Sequence, residues 1–285
     1  MIDSQIGIYD FFQYYIFVIL LSRGKMIAFM CALQQEIRPI MAHLHVSKKF
    51  NMEEVLFYQA DLNGLPVTLV QAGIGRNNAI KATNYLLRSL KIKLLISSGI
   101  AGGIRQGISV GDLVIAENVS YSKQSDFKSG ELQLESNFPC KKEIVQLAKQ
   151  LSSDLELKPH CGNILTVDKV IGQAGIKKKI GEQNSFLAVD MESAAVAEVA
   201  CERGIGFAAI RSISDDIEDD LEIDYGSLIS DEGKVRVSNL ALKVLKDPRQ
   251  LTILRRLNRQ TKIAVKKLSS FMLQLIPPLY DKILT

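Results

Sequence analysis

Residues 186–204 read FLAVDMESAAVAEVACERG. The first four residues are a short apolar run of the kind that forms a fully buried strand, and from Ser193 the chain turns Ala-rich, as a helix packed closely on a sheet requires. Asp190 and Glu192 stand at the join, on either side of Met191. Two carboxylates weaken a strand-to-helix packing joint, so their presence asks for a reason other than packing. In open α/β sheets ligands bind beyond the carboxyl ends of the strands, and this join is such an end.

Working outward, the same alternation runs through much of the chain. MIAFMCAL (26–33) is a buried strand, and QQEIRPIMAHL a helix with Glu36 in its first turn and Pro39 early enough to be tolerated. VLFYQADLNGLPVTLVQAG is a hairpin turning at Asn63-Gly64. IGRNNAIKATNYLLRSL is amphipathic at helical spacing. LLISSGIAGG, GDLVIAENVSYS, GNILTVDKVIG, FLAVDM and GFAAIRSIS supply further strands, with helices over about 141–152 and 192–203. Strands alternating with helices predict a three-layer α/β/α domain around a central mixed, largely parallel sheet.

The chain has 285 residues, enough for one substantial core. Its division is expected at 1–25 for an amino-terminal extension, 26–245 for the α/β domain and 246–285 for a basic helical tail. The net charge of +4 is uneven: from Lys246 onward nine Lys and Arg face two Asp, about +7, leaving about −3 for the rest. A nucleic-acid partner would rest on that tail alone, and none is expected. Cys31, Cys140, Cys161 and Cys201 form no CxxC pair, which speaks against a zinc ribbon or redox motif; Cys31 and Cys201 lie in apolar runs and read as core thiols of a cytoplasmic protein. The run FFQYYIFVILL (11–21) is too short to span a bilayer, lacks the basic flank of a signal peptide, and leaves open a start at Met26, an interfacial anchor or an extra packed segment.

Carboxylates recur at equivalent strand ends: Glu36 after the first strand, Asp190 and Glu192 at the opening join, Asp215 and Asp216 in RSISDD. No histidine or cysteine joins them, and His43 and His45, near one another, read as surface residues, so no metal site is expected. DDIEDDLE (215–222) matches an acidic DDxxD pattern for magnesium, but that pattern belongs on a long helix of an all-helical fold. GIGRNNA (73–79) lacks the third glycine and downstream acid of a dinucleotide fingerprint; a glycine turn opening a helix against a ligand is the safer reading.

Taken together, ALQQE, QAGIGRNNA, SSGIAGGI, VGDLVIA, VDMESAAVAEVA and AIRSISD resemble, in order, the nucleoside phosphorylase and nucleosidase superfamily, in particular the 5′-methylthioadenosine/S-adenosylhomocysteine nucleosidases. The resemblance covers about residues 26–216. It implies cleavage of the N-glycosidic bond of a 5′-substituted adenine nucleoside, without cofactor, by a homodimer. It implies Asp215 as the general acid at purine N7, kept protonated by burial, and Glu36 as the base for an attacking water. It further implies Glu192 on the ribose hydroxyls, Met191 against the sugar, and Ile74, Ile100, Ala101, Gly102 and Val170 as binding residues. The pattern departs from the family at Ile100, where a Ser or Thr often stands. Ser97 replaces an Arg that many phosphorylases use for phosphate, and Val170 an aromatic that stacks on the base. The lost Arg favours water over phosphate, although Arg76 and Arg211 remain as cations.

The tail pulls toward a different relative. Compact nucleosidases are expected to end soon after ISD, whereas the extension here resembles hopanoid-associated phosphorylases acting on a triterpenoid-linked adenosine. Leu251, Leu254, Leu257, Val265, Leu268, Met272 and Leu275 lie at helical spacing, with Arg255, Arg256, Arg259, Lys262, Lys266 and Lys267 between them. Such a helix either lies on an anionic membrane surface, at the inner face of the membrane, or packs on the domain or across a dimer. A protein of this fold that binds a nucleoside or lipid without turnover is the non-enzymatic alternative.

Overall fold

The computed structural model describes residues 26–123, 127–155, 157, 159–220 and 249–284. The amino-terminal run at 11–21 and the end of the acidic segment at 221–222 lie outside the described residues.

The chain opens with β1 (Met26–Cys31), every residue of which is buried, and α1 (Gln34–Met41). Three strands follow in a meander, β2 (His45–Met52), β3 (Val55–Leu62) and β4 (Leu65–Gln71). The β3–β4 turn is at Asn63-Gly64, both with positive φ (52° and 85°), the twist that a two-residue hairpin needs. Then come α2 (Arg76–Ser89), the long β5 (Ile92–Gly103), β6 (Leu113–Ser122), β7 (Ser136–Pro139), α3 (Lys142–Asp154) and β8 (His160–Val167). The domain continues with α4 (Ala174–Gln183), β9 (Phe186–Asp190), α5 (Ser193–Glu202) and β10 (Gly206–Asp215), and α6 (Arg249–Leu279) ends in a π-helical turn at Tyr280–Leu284.

The sheet is mixed, as expected. β5 pairs in parallel with both β1 and β10, β1 in parallel with β4, and the hairpin strands β3 and β2 extend that edge antiparallel. On the other side β10 pairs antiparallel with β6, β6 in parallel with β8 and β8 in parallel with β9. The carboxyl end of β5 then closes the ring by pairing antiparallel with β9, Gly102 with Val189 and Gly103 with Ala188. The closure brings the ends of β5, β9 and β10 together, and that is what builds a site.

Helices cover both faces. Ala79, Ala82 and Leu86 of α2 and the alanines of α5 fill one core cluster; Ile37 and Ile40 of α1, Ile144 and Leu147 of α3 and the apolar face of α6 fill the other. The small side chains of α5 let it lie close to the sheet, which answers the Ala-rich composition of 194–200. His45 begins β2, an exposed strand that the sequence leaves as loop, and its ring bonds Asp61 at 3.1 Å. Cys31 is buried and its thiol is pushed well above the usual range, chiefly by burial, but Cys201 is exposed, on the outer side of α5, rather than in the core.

Of the placements open to the tail, packing on the domain is the one found. Leu268, Met272 and Leu275 are at most 1% exposed and join Ile27, Phe29, Leu94 and Ile210 from the sheet strands in one cluster. The carboxyl half of the face that would have rested on a membrane is therefore part of the protein's own core. No helix among the described residues is long and apolar enough to cross a membrane. Truncating Leu275 to Ala should cost about 2–5 kcal/mol of unfolding free energy in urea denaturation of the full chain, as for a filled core position; a loss below about 1 kcal/mol would show that α6 is not part of the cooperative core.

Candidate active site

The first candidate residue owes its position to helix termination chemistry. Glu36 is the third residue of α1, and its Oε2 accepts the N–H of Leu33, the residue preceding the helix, at 2.8 Å, half of a capping box. Its Oε1 accepts the N–H of Ile100 on β5 at 2.9 Å. Glu36 is 3% exposed. Burial pushes its carboxyl up, and the two N–H bonds and Arg211 pull it back. Gly99 lies beneath: a Cβ there would come within 2.8 Å of both Glu36 Oε1 and the Arg211 guanidinium, so only glycine admits the two side chains together.

Asp190 and Glu192, the carboxylates of the opening join, separate into two roles. Asp190 is bound from all sides: Arg211 Nε donates to its Oδ2 at 2.7 Å, and Thr166 Oγ1 donates to its Oδ1 at 2.7 Å. Arg211, 2% exposed, also donates from Nη2 to Ser97 Oγ (2.8 Å) and Ser193 Oγ (2.9 Å). Asp190 is thus the counter-ion that holds Arg211, and Ser97 is an acceptor for the same guanidinium. Glu192 is held more lightly, accepting the N–H of Gly75 at the start of α2 at 2.7 Å. Its pKa is pushed up to about 7, first by burial and then by the Asp190 charge, against the pull of Arg211 and the Gly75 N–H.

Asp215 ends β10 where the pairing register slips by one residue between Ile213 and Asp215, an irregularity of the kind that re-aims a side chain. Its Oδ1 accepts Ser214 Oγ–H at 2.8 Å, and a Cβ on Gly102 would lie 3.0 Å from its Oδ2. The sequence leads one to expect burial alone around this carboxyl. The structure instead supplies a cation, Lys177 of α4, whose Nζ donates to Asp215 Oδ2. Asp216 and Asp219 of the DDxxD pattern accept main-chain N–H groups of their own turn, and Asp219 also faces Gln260 and Arg256 of α6. Those contacts account for the pattern without magnesium.

All these ends open on one cavity of about 400 Å³. Every residue that the resemblance implies as catalytic or substrate-binding lines it: Glu36, Ile74, Ile100, Ala101, Gly102, Val170, Met191, Glu192 and Asp215. Val170, where an aromatic is usual, is 38% exposed. Leu254, Leu257, Asn258 and Thr261 of α6 also line the cavity; in the sequence they are indistinguishable from the rest of an amphipathic helix. Lys177 was equally hidden, inside the run Lys177–Lys179. Its one signal is spacing, since it shares a face of α4 with Ile180 and Gly181. Arg76 does not line the cavity; it is paired with Glu198 at 2.5 Å and lies over the Tyr121 ring at 4.2 Å.

Comparison with known proteins gives this geometry a context. Residues 26–246 match the family model of the phosphorylase superfamily. Among curated relatives, a 5′-methylthioadenosine/S-adenosylhomocysteine nucleosidase of Staphylococcus aureus (strain bovine RF122 / ET3-1) is 26% identical over 210 residues, 72% of this chain and 92% of its own. The nucleosidase of Staphylococcus haemolyticus (strain JCSC1435) is 26% identical over 215 residues, 73% and 94%. In fold, the Neisseria meningitidis nucleosidase in complex with methylthio-immucillin-A superposes with a TM-score of 0.70 at 22% identity, covering 90% of this chain and 100% of its own. Futalosine hydrolase of Helicobacter pylori superposes at 0.71 and 17%, also over 90% and 100%. Matches that leave only a tenth of this chain uncovered must reach into α6. The shared fold therefore includes at least the start of α6, which counts against the expectation that nucleosidases end soon after ISD. By its sequence match over most of its length and by its architecture, the chain belongs to the phosphorylase superfamily.

Proposed function

We propose that the protein hydrolyses the N-glycosidic bond of a 5′-substituted adenine nucleoside, releasing adenine. One observation carries the reading: Glu36, Glu192 and Asp215, separated by up to 179 positions in the chain, line a single cavity. Its size is within the roughly 300–1,000 Å³ of small-molecule sites. The 26% identical nucleosidases of the same family support the substrate class.

Rupture of the C1′–N9 bond leaves positive charge on the sugar and negative charge on the base. Glu192 and Glu36 supply negative charge on the sugar side. Glu192 accepts hydrogen bonds from ribose hydroxyls, and Met191 packs on the sugar. Glu36, fixed by two N–H groups but retaining lone pairs, takes the proton of a water that attacks C1′. Asp215 hands a proton to N7, so that the base leaves neutral. Ile74, Ile100, Ala101, Gly102 and Val170 shape the apolar wall around sugar and base, together with the leucines of α6.

Water is favoured over phosphate for a specific reason. A phosphate dianion needs cationic or dense N–H partners. Arg211 is committed to Asp190, Ser97 and Ser193, and Arg76 to Glu198. The group at the nucleophile's place is a carboxylate, which repels a dianion. The triterpenoid-linked alternative is the less favoured one, since solved nucleosidases also match into α6.

Incubation with 5′-methylthioadenosine should release adenine at the same rate with and without phosphate, the sugar product carrying no 1-phosphate; absence of adenine from any 5′-substituted adenosine would leave a binding protein instead. Asp215→Asn should slow turnover by at least ~10²-fold, the lower range for loss of a general acid, and a near-normal rate would remove Asp215 from that role. Glu192 gives a pH test of opposite sign in binding and in stability. Because its pKa rises from 4.5 to about 7 on folding, its contribution to stability is complete below 4.5 and is lost as pH climbs through 7. Ribose binding by the carboxylate improves over the same approach to 7. KM should therefore fall between pH 6 and 8 while the thermal midpoint also falls, and Glu192→Gln should flatten both trends; persistence of both slopes in the variant would assign them elsewhere.

A further inference from the structure

Lys177 has no place in the chemistry as described so far, yet it is 0% exposed, which no other lysine among the described residues approaches. An ammonium taken out of water costs several kcal/mol unless paired and fully hydrogen-bonded. All three of its N–H groups are spent here: on Asp215 Oδ2, on the carbonyl oxygen of Asp216 at 2.9 Å and on that of Asp219 at 3.3 Å. Its position is set from behind by Gly181, whose added Cβ would lie 1.7 Å from the carbonyl oxygen of Ile104. Only glycine lets α4 seat so deeply against the chain leaving β5, two residues beyond the Gly102 on which Asp215 rests.

The surrounding charges are otherwise engaged. The Asp216 carboxylate accepts the N–H groups of Glu218 and Asp219, and that of Asp219 faces Gln260, Arg256 and the Asp216 N–H. Lys178 pairs with Glu218 on the exposed side of α4. The Lys177 and Asp215 charges thus answer each other. In this ion pair Asp215 is a carboxylate, which has no proton of its own for N7. The nearest proton is the one on Nζ, already hydrogen-bonded to Oδ2.

We infer that Lys177 is the proton reservoir for the departing base, acting through Asp215. This rests on the reading of Asp215 as the group that faces N7. As the C1′–N9 bond breaks, its electron pair passes to the purine. An Nζ–H bond of Lys177 breaks as an O–H bond forms on the Asp215 carboxylate, and an O–H bond of Asp215 breaks as an N–H bond forms at N7. Lys177 ends as a neutral amine and Asp215 as a carboxylate, while the proton lost by the attacking water is on Glu36; solvent restores both after release. Lys177 touches no substrate and is a positioning residue.

The test compares two leaving groups on the same enzyme sample. Adenine in 5′-methylthioadenosine needs a proton to depart; the 4-nitrophenolate of 4-nitrophenyl 5-methylthioribofuranoside departs as a stable anion and needs none. Lys177→Met should lower kcat on methylthioadenosine by ~10²-fold or more with KM within about 3-fold, but lower nitrophenyl cleavage by less than about 5-fold, the pattern of lost proton delivery. Lys177→Gln, which keeps N–H donors for the two carbonyls, should behave alike if the methionine variant folds poorly, and the ratio of the two rates does not depend on the fraction folded. Equal losses on both substrates, in either variant, would overturn the inference and reduce Lys177 to scaffold. Asp215→Asn run in parallel separates the two readings. If it loses adenine release selectively while the Lys177 variants do not, only the role of Lys177 fails; if it cleaves both substrates normally, the reading of Asp215 fails first.

Discussion

One guanidinium makes the site possible. Glu36, Asp190 and Glu192 crowd into a buried region where three carboxylates would repel one another, and Arg211 lies among them, itself 2% exposed. Its charge restrains the upward push that burial exerts on Glu36 and Glu192, and their charges in turn hold its own proton more tightly. The guanidinium has five N–H donors in a fixed plane, so Asp190, Ser97 and Ser193 are positioned by geometry as well as by charge. Three strands and the start of α5 are tied at this point. The price is a charge deficit: one cation among three acids leaves Glu192, the least tightly bound, as the one pushed to about 7.

Most of the fold was legible because its strands are short apolar runs bounded by glycine turns and its helices carry clear periodicity. Phe186–Asp190, Gly206–Asp215 and the Asn63-Gly64 hairpin stand where the pattern puts them. His45–Met52 was missed because HVSKKFNM is largely exposed and carries almost no apolar signal, its strand character coming from pairing with β3. Of the candidate site, the acidic residues were legible as charges out of place at strand ends. What each one touches was not. That Asp190 serves Arg211 while Glu192 faces the cavity depends on the closure of β5 onto β9, a pairing between Gly102-Gly103 and Ala188-Val189 that no local pattern records.

The carboxyl-terminal helix shows the same limit from another side. Its amphipathic spacing was plain, but a helix with a basic face and an apolar face fits a lipid surface and a protein core equally well on pattern alone. What decides is the partner. The outer face of the sheet around Phe29, Leu94 and Ile210 would be open to water without α6, and burial of its apolar residues stabilises by roughly 25 cal/mol per Å². With its carboxyl half fixed in that way, the amino half of α6 reaches the cavity, where Leu254 and Leu257 become lining residues. A structural demand at one end of the helix thus delivers a functional surface at the other.

The two ends of the cavity are balanced differently, and the difference suits glycosidic cleavage. On the side of Glu36 and Glu192 acids outnumber the single cation, so the environment is electronegative where a sugar cation would form. On the side of Asp215 the acid is matched by Lys177 behind it, so an electron-rich base leaving in that direction would meet an ion pair rather than a surplus of acids. A site with a surplus of acid at one end and a matched ion pair at the other, fixed before any substrate enters, favours the separation of charge that C1′–N9 rupture requires and costs no rearrangement when it occurs. The polarity follows from which strand end carries which partner: Arg211 is shared among three acids, whereas Lys177 is given to one.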